Sequence, residues 1–256
     1  MVLKARMLGC GTSSGVPRIG NDWGACDPAN PRNRRSRASI LVETETTRIL
    51  VDTSPDLREQ LLTARVAAVD GLIWTHDHAD HCHGIDDLRQ LFHARGAPVE
   101  AYARAETLHS LQHRFAYAFE GKDDYPPIVR GHILPECLTI GDVRIGAVDQ
   151  PHGAVLSSGL RFDSGGRSIG YSTDFNIFTA NMANLFEGID LWIVDALRER
   201  PHPTHPCLAQ TLGWIARIRP RRAVLTHMDQ SMDYARLGAT LPEGVTPGYD
   251  GLEVIA

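Results

Sequence analysis

The chain has 256 residues, 43% of them apolar, enough to bury a large core, and the expectation is one domain over residues 1–256. A formal net charge of -5 excludes an extensive basic surface for long nucleic acid, and the apolar runs are too short to span a membrane. Five scattered cysteines without a C-x-x-C pair read as thiols rather than as a zinc ribbon or redox centre. A small anionic substrate stays compatible with this charge, because a bound metal pair dominates its local field.

The opening segment Val2–Leu8 reads as a strand, and it runs into glycines without the apolar stretch of a signal peptide, so a cytoplasmic location is expected. Residues 9–20 hold four glycines and a proline and form a turn-rich loop, which either bends tightly or brings backbone N–H groups and the Thr12, Ser13 and Ser14 hydroxyls near a site. It lacks the G-K-[ST] ending of a phosphate loop. Residues 32–37 carry four arginines in a loop that is either solvated or faces an anion. Ala38–Glu43 and Arg48–Asp52 read as a hairpin, and Leu57, Leu61 and Leu62 give Pro55–Arg65 a helical spacing.

Gly71–Trp74 is a short buried strand that ends in a histidine cluster, and Ile85–Ala94 reads as a helix with Ile85, Leu88, Leu91 and Phe92 on one side. Leu138–Val148 and Ser158–Phe162 are strand candidates, Ser168–Ser172 leads to Asp174, and Leu191–Val194 leads to Asp195. A helix over Cys207–Ile218 precedes a strand, Ala223–Thr226, that ends at His227. Two halves, each beginning with strands and continuing into strand and helix, predict two sheets packed face to face with helices outside.

The densest chemical signal is Thr75-His76-Asp77-His78-Ala79-Asp80-His81. Histidines two apart in an extended segment point the same way and can share one ion, and the following turn can aim Asp80 and His81 at a second. Imidazole and carboxylate donors suit zinc, manganese or ferrous iron, and leave positions open for water and substrate. Asp77 and Asp195 are each expected to accept a hydrogen bond from a ligand histidine. Histidines 83, 93, 109, 113 and 132 lack such a setting and read as structural or exposed.

With this H-x-H-x-D-H pattern the sequence resembles the metallo-β-lactamase superfamily along nearly its whole length. The resemblance implies an α/β fold, a four-layer αββα sandwich with a two-metal site at one edge. It further implies that His76, His78 and His152 bind one metal, that Asp80, His81 and His227 bind the other, and that Asp174 bridges them. Within the superfamily the chain resembles the phosphodiesterase branch, which includes the cyclic phosphodiesterase of the carbon-phosphorus lyase pathway and, more distantly, ribonuclease Z. That likeness rests on Leu8-Gly9-Cys10-Gly11-Thr12-Ser13-Ser14-Gly15-Val16-Pro17, the His205 region after Asp195, and Gly248-Tyr249-Asp250-Gly251-Leu252-Glu253.

What the branch implies is a hydroxide held by two divalent ions attacking a small or cyclic nucleotide-like or ribose phosphodiester. His205 then contacts the phosphate or protonates the leaving oxygen, with His202 as its competitor, and a homodimer is implied as well. Some members carry a structural zinc at positions that read here Asn21, Trp23, Cys26 and Gln230, so that zinc is expected to be absent. Trp23 either packs the loop or stacks on a substrate ring. The competing readings are a thioester or lactone hydrolase of the glyoxalase II type and a non-catalytic nucleotide-binding module on the same fold.

Overall fold

Alternation of apolar side chains builds the first sheet. In the computed structural model, which describes residues 2–256, β1 (Lys4–Gly9), β2 (Ser39–Glu43) and β3 (Arg48–Val51) form an antiparallel meander. The sheet continues in parallel through β4 (Gly71–Ile73), β5 (Val99–Ala103) and β6 (Val129–Ile133). Ile40, Val42, Ile49 and Val51 face the second sheet, while their neighbours Leu41 and Leu50 face outward into a separate cluster, as the two-residue period of a strand requires. That outer cluster is roofed by α1 (Leu57–Ala64), α2 (Ala79–Cys82), α3 (Leu88–Arg95), α4 (Ala105–Arg114) and α5 (Ala116–Glu120), through side chains such as Leu57, Leu88, Leu108 and Ala118.

The second sheet repeats the plan. β7 (Cys137–Ile140), β8 (Val143–His152), β9 (Val155–Ser164) and β10 (Arg167–Ser172) are antiparallel, and β11 (Leu191–Asp195), β12 (Arg222–Thr226) and β13 (Val245–Pro247) follow in parallel. Its helices are α6 (Ala180–Leu185), α7 (Leu208–Ile218) and α8 (Tyr234–Thr240), and α7 packs Trp214 on Phe175 and Phe178 at ring distances of 5.0 and 5.5 Å. Last, β14 (Glu253–Ile255) returns to the first sheet beside β1. The strand orders are β14-β1-β2-β3-β4-β5-β6 and β13-β12-β11-β10-β9-β8-β7. The sandwich of two sheets between helices is therefore the architecture the sequence implied.

The carboxyl ends of β3, β4, β10, β11 and β12 release Asp52, the Thr75–His81 stretch, Asp174, Asp195 and His227 at one edge, the place where open α/β sheets bind ligands. One expectation needs correction: Leu138–Val148 is two strands, not one. Gly141 adopts φ 56° between them and Asp142 is bonded by Thr44 and Thr47, so the apolar run folds back on itself. Among the described residues, no helix is long and apolar enough to cross a membrane.

Candidate metal centre

Local backbone geometry aims the donors. His76 and His78 lie in extended chain after β4, and the single turn of α2 then presents Asp80 and His81. His152 ends β8, where Gly153 (φ 61°) allows the sharp turn into β9. Asp52 and His227 directly follow strands and Asp174 lies two residues past one, with φ of 64°, 56° and 56°, respectively, for Asp52, Asp174 and His227, a left-handed conformation that costs free energy in non-glycine residues and concentrates at functional sites.

Asp174 is the hub. Its Oδ2 lies 3.1 Å from His81 Nε2, and its Oδ1 lies 3.5 Å from His227, 3.7 Å from His152, 3.8 Å from His205 and 3.9 Å from His76. Asp80 Oδ2 is 3.4 Å from His81 and 3.5 Å from His227. Donor atoms of His76, His78 and His152 lie within 4.8 Å of one another, and the same holds for Asp80, His81 and His227, and for His76, His81 and Asp174. The structure thus brings together all seven residues expected to bind metal, with His205 beside them.

The opposite ring nitrogens are tied down. Asp52 Oδ2 meets His81 Nδ1 at 2.7 Å, the Thr204 carbonyl meets His152 Nδ1 at 2.9 Å, and Thr75 Oγ1 meets His76 Nδ1 at 3.0 Å. Such partners fix the tautomer and leave Nε2 facing the cluster. Asp195 Oδ2 lies 2.9 Å from His205 Nδ1, accepts the Asp174 N–H at 3.0 Å, and stands 4.0 Å from His227 Nδ1. Its expected orienting role therefore falls chiefly on His205. Asp77 does not play that role: it alternates to the other side of the extended segment and bonds Ser110 and Arg114. Sequence reasoning missed Asp52, whose one signal is a carboxylate at the end of a buried strand.

These donors fit divalent cations. Nε2 of His76 and of His81 and Nδ1 of His227 are buried without a well-formed hydrogen bond, a costly arrangement that a bound cation would relieve for the nitrogens facing the cluster. Burial disfavours charge on His81, yet Asp174, Asp80 and Asp52 hold it well above the usual imidazole range. His227 is likewise opposed by burial but raised to about 9 by Asp174, Asp80 and Asp195. Burial and the charge of His81 push His76 well down. Burial would raise Asp174, but His227, His81 and His76 hold it well below the carboxylate range. The carboxylates thus demand positive charge at the cluster, and protons on imidazoles supply it when metal does not.

Around the cluster, the early loop is a close-packed bend. A side chain on Gly9 would sit 2.1 Å from the Arg37 carbonyl, and Thr12 N–H donates to Met228 O at 3.2 Å. Asp250, from the closing motif, accepts from Cys10 N–H and from the Ser36 N–H and hydroxyl, which ties the chain's two ends together. Three of the four arginines are engaged: Arg32 lies over Tyr234 and Tyr249, Arg37 pairs with Asp56 at 3.1 Å, and Arg35 is buried. Arg35 donates to Asp229 O and Met232 O and lies beside Cys26, so a guanidinium staples the loop. Trp23 donates to Asn21 within its own loop. A cavity of about 590 Å³ between residues 14–17, 34–37 and α1 contains none of the metal donors, so concavity alone would misplace the site.

A two-sheet sandwich with a histidine-carboxylate cluster at one edge defines the class, and the profile of the Beta-lactamase superfamily domain matches residues 47–228. The chain belongs to that superfamily and has the metallo-β-lactamase fold. Among solved structures it is similar to a diphosphatase of the PhnP family, at 33% identity and a TM-score of 0.91, covering 100% of this chain and 98% of that one. Zinc-bound PqqB from Methylobacterium extorquens (17% identity, TM-score 0.78, 98% and 99% covered) and human tRNase Z, short form (17%, 0.70, 98% and 98%), share the fold. Among curated proteins it is similar to an octanoyltransferase of Porphyromonas gingivalis, 31% identical over 99% of this chain and 51% of that protein. It is also 27% identical to exodeoxyribonuclease WalJ of Streptococcus pneumoniae, over 62% and 57% of the two chains. The chain spans little more than half the length of these curated relatives.

Proposed function

We propose that the chain, acting as one domain, is a metal-dependent hydrolase of a small or cyclic phosphodiester of nucleotide-like or ribose character. In this reading His76, His78 and His152 hold one divalent ion, Asp80, His81 and His227 hold a second, and Asp174 is shared. Zinc and manganese suit these donors, as does iron. Two such ions supply Lewis-acid chemistry, activating water near neutral pH and stabilising charge on phosphoryl oxygens.

The observation that carries the reading is the place of His205. Its Nδ1 is engaged by Asp195, and its Nε2 lies 3.8 Å from Asp174 Oδ1, at the edge of the donor cluster. A histidine so held can contact a phosphoryl oxygen or give a proton to a leaving alkoxide. His202 packs its ring 5.2 Å from that of His205, but its Nδ1 accepts from Thr204 N–H at 3.3 Å rather than being braced by a carboxylate. His78 is exposed, which leaves an open side for substrate. Support also comes from the diphosphatase likeness over the whole chain and from the nuclease relative, since both names describe cleavage at phosphorus.

The test is turnover by protein loaded with zinc or manganese on paired panels of phosphodiesters and of thioesters or lactones. Cleavage of diesters that chelation abolishes and His205→Ala strongly lowers is the expected result. Turnover of thioesters or lactones alone would overturn the phosphodiesterase reading.

A further inference from the structure

His78 differs from the other imidazoles of the cluster. His76, His81 and His152 each have Nδ1 tied to Thr75, Asp52 or the Thr204 carbonyl, whereas the ring nitrogen of His78 meets only His152 Nε2, at 3.3 Å, inside the cluster itself. His78 is also exposed, and its ring packs only on His76 and His152, at 4.5 and 5.0 Å, so nothing outside the cluster holds it. Its position depends on the backbone beside it.

That backbone is gripped at Asp77. Ser110 Oγ donates to Asp77 Oδ2 at 2.5 Å, and Arg114 Nη1 donates to the Asp77 carbonyl at 2.5 Å and lies 3.4 Å from Oδ2. The second arm of Arg114 meets His83 Nε2 at 2.8 Å, just beyond α2, and Cys82 Sγ donates to the same Asp77 carbonyl at 3.3 Å. Ser110 and Arg114 are four apart on α4, hence on one face, and Leu108 and Leu111 root the other face in the core. Helix α4 thus grips the chain at Asp77, next to His78, and reaches beyond α2 only to the His83 ring.

We propose that Ser110 and Arg114 are positioning residues that preset His78 for its metal ion by clamping Asp77. The proposal rests on the reading of His76, His78 and His152 as one metal site. A preset loop has less conformational freedom to lose when the ion binds, so the clamp raises affinity without touching the metal. Its effect is selective: the ion bound through His78 feels it, and the ion bound by Asp80, His81 and His227, which Asp52 braces, does not.

The experiment is stepwise titration of the metal-free protein with zinc against a chromophoric chelator, together with cobalt absorption spectra, for wild type, Arg114→Met, Arg114→Lys, Ser110→Ala and His78→Ala. Loss of the clamp should weaken one of the two equivalents by about 10- to 100-fold in Arg114→Met, within the range known for residues that orient metal ligands. Ser110→Ala, a mild change, should weaken the same equivalent by a smaller factor, and Arg114→Lys should recover part of the loss, because an ammonium reaches the carbonyl but cannot fork to His83. The cobalt spectrum should change for that equivalent alone. Equal weakening of both equivalents, or of neither, overturns the proposal. If His78→Ala itself leaves both equivalents unchanged, the metal-ligand reading fails instead.

Discussion

Asp52 Oδ2 lies 2.7 Å from His81 Nδ1, and both side chains are wholly buried. Asp52 also accepts from the Thr75 N–H at 2.7 Å and from the Thr75 hydroxyl, so one carboxylate joins the end of β3 to the loop after β4. Asp52→Ala removes one partner of a buried pair and leaves the other groups unsatisfied. The metal-free variant should lose about 3–5 kcal/mol of stability, read from its urea midpoint, and an unchanged midpoint would show that the pair does not brace the fold.

His205→Ala should lower kcat by about 10²- to 10⁴-fold, the usual worth of a general acid, with metal content preserved. Asp174→Ala should lose metal as well, because this carboxylate reaches five imidazoles of the cluster. Atomic absorption beside steady-state kinetics separates the two outcomes. His202→Ala should stay near wild type, and a loss matching that of His205→Ala would reassign the proton donor.

Burial raises Asp250 to about 6 against the pull of its hydrogen bonds from Ser36 and Cys10. Between its ordinary value and the raised one, the folded protein keeps a proton that the unfolded chain has released. Linkage then makes stability fall as pH rises through this window and level off above the folded value. The gap corresponds to about 3 kcal/mol. In Asp250→Asn the Tm should lose this part of its decline between about pH 4 and 6. A Tm profile parallel to wild type across that window would remove Asp250 as the cause.

Arg35 is 2% exposed and holds the carbonyls of Asp229 and Met232. Arg35→Met keeps much of the bulk but strands both carbonyls, at a cost of about 1.5–3 kcal/mol for each hydrogen bond to a charged group. Limited proteolysis should then cut within residues 18–34 well before the wild type is cut, and equal cutting rates would show that the loop is held by other contacts.

Much of the fold was legible in the sequence because its strands are short apolar runs bounded by polar turns. β2, β3 and β11 carry this signature, and each falls where the pattern predicts it. Leu138–Val148 was misread because its turn, Gly141-Asp142, lies between apolar stretches that look continuous. The pairing partners of Asp142, Thr44 and Thr47, come from the other sheet and leave no local trace. Asp77 was misassigned for a related reason: a carboxylate between two candidate ligand histidines is adjacent in sequence, yet alternation turns it away from both.

The sequence by itself determined what is local. Four donors within Thr75–His81 mark a candidate metal-binding stretch because an extended segment and one helical turn set their directions without help from the rest of the chain. Only the tertiary structure decided which distant groups join them. Asp174, His152 and His227 arrive on separate strands, Asp52 rather than Asp77 braces His81, and Asp195 engages the His205 ring. Those choices depend on how β8, β10, β11 and β12 stack beside β3 and β4. Such contacts link positions as far apart as Asp80 and His227, a separation that no periodicity along the chain encodes.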